Sequence, residues 1–238
     1  MNERNYIESI YLNSKIPKDS YLKNIAAIRF LEKAKEIKFS KKVTFFVGDN
    51  GTGKSTLLEA IAVASRLNPE GGSMEHTFST NDTHSDLYNA MTVVKGNYPK
   101  DKFFLRNESV YNLASYLEET GGVRYAMIEA HKRSHGESFL KIVENFDGKG
   151  LYLLDEPEGA LSPAKILILM CEINRLIKDN SQFIIATHSP ILMAFPDSQI
   201  FQFDEIGIRE VSYEETEHYQ LTKMFLDCPE RMLRHMLI

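Results

Sequence analysis

Gly48-Asp49-Asn50-Gly51-Thr52-Gly53-Lys54-Ser55 fits Gly-x-x-x-x-Gly-Lys-Ser, the loop that wraps the phosphates of a nucleotide. At ordinary glycine usage the pattern arises by chance in about one in a hundred chains of this length. Before it, Val43-Thr44-Phe45-Phe46-Val47 is β-branched and aromatic; after it, Thr56-Leu57-Leu58-Glu59-Ala60-Ile61-Ala62 favours helix, so the order is strand, loop, helix. Glycines let successive backbone N–H groups turn toward phosphates without Cβ clashes, and the helix start behind them adds partial positive charge. Asn50, Gly51, Thr52, Gly53, Lys54, Ser55 and Thr56 are therefore the expected nucleotide-binding residues, with Lys54 reaching the β- and γ-phosphates and Ser55 offering its hydroxyl to Mg²⁺.

Two further apolar runs end in polar residues. Leu151-Tyr152-Leu153-Leu154 reads as a strand buried on both faces and runs into Asp155-Glu156-Pro157. Phe183-Ile184-Ile185-Ala186 is a second such strand and runs into Thr187-His188-Ser189-Pro190. In open α/β sheets ligands bind at the carboxyl ends of strands, so if these strands are neighbours their ends meet at the γ-phosphate. Asp155 is then placed to hold Mg²⁺ together with Ser55, Glu156 to take a proton from the attacking water, and His188 to contact the γ-phosphate. Taken singly, Asp155-Glu156 is a solvated strand end and His188 a surface or capping histidine; the combination with the phosphate loop gives them a function.

The rest of the chain supplies the frame. Tyr6 to Leu12 reads as a strand and Ser14 to Ser20 as a loop, while Tyr21 to Phe39 fits both helical and extended patterns. Phe103-Phe104-Leu105 marks a short strand, Val110, Leu113, Ala114 and Leu117 one face of a helix, and Phe139, Ile142, Val143 and Phe146 the face of another that follows Ser134-His135-Gly136-Glu137. Ser162 and Pro163 open a helix whose apolar residues are Ile166, Leu167, Met170, Ile173 and Ile177, with Cys171 expected in its packed face. Ile200 to Phe203 and Ile208 to Val211 read as a hairpin, and Pro229 opens the second of two short tail helices. Strands alternating with helices give an α/β fold on a mainly parallel sheet.

Composition narrows the class. Among 238 residues, 28 Lys plus Arg stand against 33 Asp plus Glu, so the net charge of -5 supplies no global drive toward nucleic acid or an anionic membrane. Two distant cysteines, Cys171 and Cys228, form neither a disulfide framework nor a Cys-x-x-Cys metal pair, and His76 and His84 lack partners at ligand spacing. No signal peptide and no apolar run of transmembrane length is expected, which points to a cytoplasmic setting.

Gly48 to Ser55, Ser134-His135-Gly136-Glu137, Leu151 to Glu156, Gly159-Ala160-Leu161-Ser162 and His188 together resemble, in order and spacing, the ATP-binding-cassette superclass of P-loop NTPases, closest to small cytosolic ATPases of its SMC and DNA-repair branch. The resemblance spans the chain and implies one ATPase domain over residues 1–238, with a mainly parallel sheet, an antiparallel β portion and a small helical subdomain at about 85–147 carrying the signature. It implies that Ser134, Gly136 and Glu137 of one copy cap ATP held by another, so that a homodimer forms on ATP binding. Arg133 stands in place of the signature's Leu and His135 in place of its first Gly. Ser162 replaces the Asp of the loop after the Asp-Glu pair, and no glutamine occurs between Ser55 and Ser134. Asn107 or Glu108 is expected to stand in for that metal- and water-contacting glutamine.

No guanine-reading Asn-Lys-x-Asp is present, so the resemblance implies ATP, with Tyr6, Tyr11, Tyr21, Phe30 and Phe39 as candidates beside the base. The expected function is Mg²⁺-dependent ATP hydrolysis that switches a protein or nucleic-acid partner. The alternatives are the ATPase subunit of a membrane transporter, against which the missing glutamine weighs, and an ATP-binding clamp with negligible turnover, against which Glu156 weighs.

Overall fold

The computed structural model describes residues 4–33, 36–69, 71–73, 85–107, 110 and 135–236. Its strands are β1 (Ile7–Leu12), β2 (Ile37–Lys38), β3 (Val43–Gly48), β4 (Gly72–Ser73), β5 (Met91–Lys95), β6 (Asp101–Arg106), β7 (Gly150–Asp155), β8 (Gln182–Ala186), β9 (Gln199–Phe203) and β10 (Ile208–Val211). Among the described residues the helices are α1 (Ala26–Lys33), α2 (Lys54–Ala64), α3 (His135–Glu144), α4 (Pro163–Lys178), α5 (Pro190–Met193), α6 (Glu217–Asp227) and α7 (Pro229–Met236).

Seven strands form one sheet in the order β10-β9-β3-β8-β7-β6-β4, with β9, β3, β8, β7 and β6 mutually parallel and the two outer pairings antiparallel. The phosphate-loop strand β3 has every residue buried, as its unbroken apolar run requires of a strand covered on both faces. Alternate side chains feed two cores. Val43, Phe45 and Val47 pack with Phe183, Ile185, Leu154 and the buried residues of α3 and α4; Phe46 points the other way, toward Leu57, Leu58 and Ile61 of α2 and Ile28 of α1. Burying one such Phe or Leu contributes about 1.5–3 kcal/mol, so the central strands are held from both sides. Phe146, just beyond α3, stacks on Tyr152 with ring centroids 4.2 Å apart, and the Tyr152 hydroxyl donates to Asp101 Oδ2 at 2.9 Å.

A second sheet, β2-β1-β5, is antiparallel and covers the α1–α2 face. The buried amide of Gln182 on β8 joins it to the main sheet: Oε1 accepts from the backbone N–H groups of Tyr6 and Ile7, and Nε2 donates to the Ile7 carbonyl.

Two expectations change and one open stretch resolves. The packed face of α4 is Ile166, Leu169, Ile173 and Leu176; Leu167 is 55% exposed and Cys171 lies on the outer face beside it. Six consecutive apolar residues, Ile166 to Cys171, leave the facing side ambiguous until neighbouring elements select it. Residues 85–106, expected inside a helical subdomain, carry one short turn of helix at Asp86–Ala90 and then β5 and β6, so β-structure continues up to Arg106. The ambiguous stretch from Tyr21 resolves into a 3₁₀ turn at Tyr21–Asn24, the helix α1, and the two-residue strand β2. Of the helix expected from Val110, only Val110 is described; Leu113 to Leu117 lie outside the described residues.

Candidate functional site

Strand β8 sits between β3 and β7, in register Phe46↔Ala186↔Asp155. Two backbone hydrogen bonds carry that alignment past the strand ends: Thr187 N–H donates to the Phe46 carbonyl at 3.0 Å and Glu156 N–H to the Ala186 carbonyl at 2.9 Å. The phosphate loop, the Asp155-Glu156 pair and the Thr187-His188 pair therefore open side by side at the carboxyl edge of the sheet, as the sequence led us to expect.

The loop passes into α2 through Gly53, whose φ of +102° is readily adopted only by glycine. A Cβ at that position would come within 2.5 Å of Ile25 Cγ2, so the loop is also sterically closed from behind. Lys54 folds back with its ammonium donating to the carbonyls of Gly48 at 2.8 Å and Asp49 at 2.9 Å, and Thr52 Oγ1 donates to the Asp49 carbonyl at 2.8 Å. Burial pulls the Lys54 ammonium below its usual range, opposed by the carboxylates of Glu156, Asp155 and Asp49 around it. A buried cation among anionic groups is the electrostatic setting of a site for a charged ligand. Asn50 and Gly51 are exposed at the loop tip, and Ser55 and Thr56 open the helix.

Ser55 Oγ donates to Asp155 Oδ1 at 2.9 Å, which joins the two residues expected to share Mg²⁺. A hydroxyl and a carboxylate oxygen are hard donors of the kind Mg²⁺ takes alongside water and phosphate, so the residues fit that ion. Among the described residues no group of three or more His, Cys, Asp or Glu forms a protein-only metal cluster. Arg106, at the end of β6, lies 3.6 Å from Asp155 Oδ2 through Nε and 3.1 Å from Glu59 Oε2 through Nη1. Arg106 ends an apolar strand just as Asp155 does, but no motif in the sequence marks it.

Glu156 takes a left-handed backbone conformation, φ 50° and ψ 53°, which costs a non-glycine residue roughly 1–2 kcal/mol. That turn takes its carboxylate out of the strand's alternation, and Oε1 lies 3.4 Å from His188 Nε2. His188 Nε2 is buried and makes no hydrogen bond among the described residues. Burial, and then the Lys54 cation, lower the His188 pKa, and the Glu156 carboxylate works against them.

Two residues the sequence did not single out hold His188. Glu158 accepts from the Thr187 hydroxyl at 2.8 Å and from the His188 backbone N–H, clamping the end of β8 to the loop after β7. Its carboxyl is pushed above the usual carboxylate range, mainly by burial. His218, in the first turn of α6, places Nε2 3.0 Å from His188 Nδ1. Glu158 had a faint signal as the third acid of Asp155-Glu156-Pro157-Glu158; a lone histidine thirty positions from its partner had none.

The signature stretch is described in part. Ser134 and the side chain of His135 lie outside the described residues, whereas Gly136 opens α3 directly against the loop after the Asp-Glu pair. A Cβ on Gly136 would sit 2.4 Å from the Ala160 carbonyl, and Glu137 Oε1 lies 3.9 Å from Lys165 Nζ. Asn107 lies beside the same loop, its amide Nδ2 2.3 Å from where a Gly159 Cβ would be; Glu108 is outside the described residues. A cleft of about 1030 Å³ flanks the phosphate loop, lined by Asp49 to Thr52, Asn24, Arg29, Asp204 and Ile206 among others. None of Tyr6, Tyr11, Tyr21, Phe30 and Phe39 lines it; the 3₁₀ turn and α1 present Asn24, Ala26 and Arg29 there. Among the described residues no helix is long and apolar enough to cross a membrane.

The chain is similar to known proteins in sequence family and in fold. A family model described as an AAA domain matches residues 21–144, just over half of the chain. A second AAA-domain model, whose description names an AbiEii toxin and a type IV TA system, matches residues 131–194. No curated protein is similar to the chain in sequence. Among solved structures, cbiO1 from Clostridium perfringens, described as part of the ABC transporter complex cbiONQ, superposes with a TM-score of 0.54 at 17% identity, covering 99% of this chain and 100% of that one. The SMC head domain from Thermotoga maritima gives 0.47 at 15% identity over 87% of this chain and 98% of that one. The match to cbiO1 speaks to fold alone; the family match, set on the phosphate loop and its flanking strands, makes this chain a member of the AAA-domain family, with the fold of an ABC-type P-loop ATPase.

Proposed function

We propose that this protein is a cytoplasmic, Mg²⁺-dependent ATPase that closes head to tail with a second copy around two ATP molecules and thereby switches a protein or nucleic-acid partner. The observation that carries the reading is the meeting of Lys54, the Ser55–Asp155 pair, Glu156 and His188 at the ends of three adjacent strands.

In this reading the backbone N–H groups from Asn50 to Thr56 and the ammonium of Lys54 hold the phosphates, in exchange for the carbonyl contacts Lys54 makes now. Ser55 and Asp155 would hold Mg²⁺, which supplies charge neutralisation on the phosphates. Glu156, half-exposed and turned off the strand, accepts the proton of the attacking water. His188 directs its unpaired Nε2 at the γ-phosphate and at Glu156. Ser134, Gly136 and Glu137 of the second copy cap the nucleotide, and Asn107 or Glu108 serves in place of the missing glutamine. The cleft bordered by Asn24, Arg29 and Ile206 takes the base.

Phosphate release from ATP that requires both Mg²⁺ and Lys54 tests the activity, with Lys54→Ala expected to lose it. Mass in solution of Glu156→Gln tests assembly: it doubles on adding Mg-ATP, and a monomer with ATP bound would defeat the sandwich. The transporter-subunit reading draws on the likeness to cbiO1, and stable capture of a membrane-spanning partner would favour it. A clamp without turnover would show the dimer and no phosphate release.

A further inference from the structure

The hydrogen bond between His188 Nδ1 and His218 Nε2, 3.0 Å long, has two forms when both rings are neutral, and they differ in what His188 presents to the site. If His188 donates, its Nε2 is a bare lone pair facing the Glu156 carboxylate oxygen 3.4 Å away, two acceptors in repulsion. If His218 donates, His188 must carry its proton on Nε2, where it faces Glu156 Oε1 as a donor. The second form also leaves the buried His218 Nδ1 as an unpaired acceptor and not as an unpaired N–H donor. Orphaned acceptors are tolerated more readily than orphaned donors.

We infer that His218 is a positioning residue for hydrolysis: its Nε2–H fixes His188 as the Nε2–H tautomer, so that His188 aims a donor at the γ-phosphate and Glu156. The inference rests on the proposed ATPase reading and adds to it a residue from outside the sheet. The surroundings agree with a dedicated contact. Glu158 already fixes the His188 backbone through its N–H, which leaves ring orientation and proton position to be set at the side chain. His218 and Tyr219 are half-buried, whereas every residue of α6 from Gln220 onward is exposed, so the helix meets the site through its first turn. Through His218 the hairpin of α6 and α7 is tied to the catalytic strand end.

The test compares wild type, His218→Ala and His218→Gln, the last of which keeps an amide N–H donor in place of Nε2–H. The ¹⁵N signals of the His188 ring, assigned by their loss in His188→Gln, report the tautomer without nucleotide. We expect the Nε2–H form in wild type, a larger share of the Nδ1–H form in His218→Ala, where Glu156 alone sets the preference, and a return to the wild-type share in His218→Gln. In hydrolysis, His218→Ala lowers kcat by at least about tenfold with KM within about threefold, and His218→Gln restores most of it, the pattern of an interaction made in the transition state. An unshifted His188 tautomer with wild-type kcat in His218→Ala overturns the inference, as does a His218→Gln variant as slow as His218→Ala. If Glu156→Gln hydrolyses ATP as wild type does, the parent reading of the site fails, and the tautomer measurement still decides the histidine pairing by itself.

Discussion

Gly53 shows how one residue can belong to both fold and site. Its positive φ and the Ile25 methyl 2.5 Å from a would-be Cβ mean that Gly53→Ala must strain the backbone and push α1's approach outward. We expect the variant to lose at least about 1–2 kcal/mol in denaturant unfolding and to bind ATP at least about tenfold more weakly. Glu158 offers a finer test. Glu158→Ala removes both accepting oxygens and leaves the His188 backbone N–H without its side-chain partner and the Thr187 hydroxyl without its acceptor, at a cost of about 1–3 kcal/mol. The variant's kcat falls more than its KM, read from steady-state kinetics, because the misplaced His188 acts on the transition state. For pH, burial and Lys54 hold His188 below its ordinary value of about 6.5, and burial likewise lowers His218. Depressed values mean that both rings are neutral at pH 7 and charge only when acid overcomes burial; the unfolded chain takes up those protons first, so stability and activity are both lost toward acid. The acid limb of kcat/KM therefore falls below pH 6.5, and a limb centred at or above it would contradict the assignment. The residues proposed to contact phosphate or metal are legible because motif spacing announces them. Arg106, Glu158 and His218 act through contacts made across the fold, and their sequence neighbourhoods carry no spacing rule.

Among the elements, α4 separates what periodicity can decide from what it cannot. Ile166 to Cys171 is apolar throughout, so a helix is plain and its inward face is not. The fold selects Ile166, Leu169, Ile173 and Leu176 because that stripe meets β7, β8 and α3. Leu169→Ala is accordingly expected to cost about 2–5 kcal/mol, and Leu167→Ala, at a position 55% exposed, under about 0.5 kcal/mol, by thermal or denaturant unfolding. Reversal of the two would restore the face read from sequence. The three buried parallel strands were recognisable because burial on both faces demands uninterrupted apolar runs. The β2-β1-β5 sheet was harder to see: β2 has two residues, and in β5 the residues Thr92, Val93 and Val94 are only half-buried.

For the whole molecule, sequence supplied the strands and their polar ends but not their lateral order. That β8, after β7 in the chain, inserts between β7 and β3 is a property of the crossovers, and it is what brings His188 between the phosphate loop and Glu156. The proposed function depends on this lateral order, since three strands that were not neighbours could not share one phosphate. The most direct measurement is the rate of phosphate release by wild type and Glu156→Gln at saturating Mg-ATP, with ATP affinity measured alongside. The account predicts steady turnover in wild type, and in Glu156→Gln a rate at least about a hundredfold lower with affinity retained. Equal rates in the two proteins would contradict it.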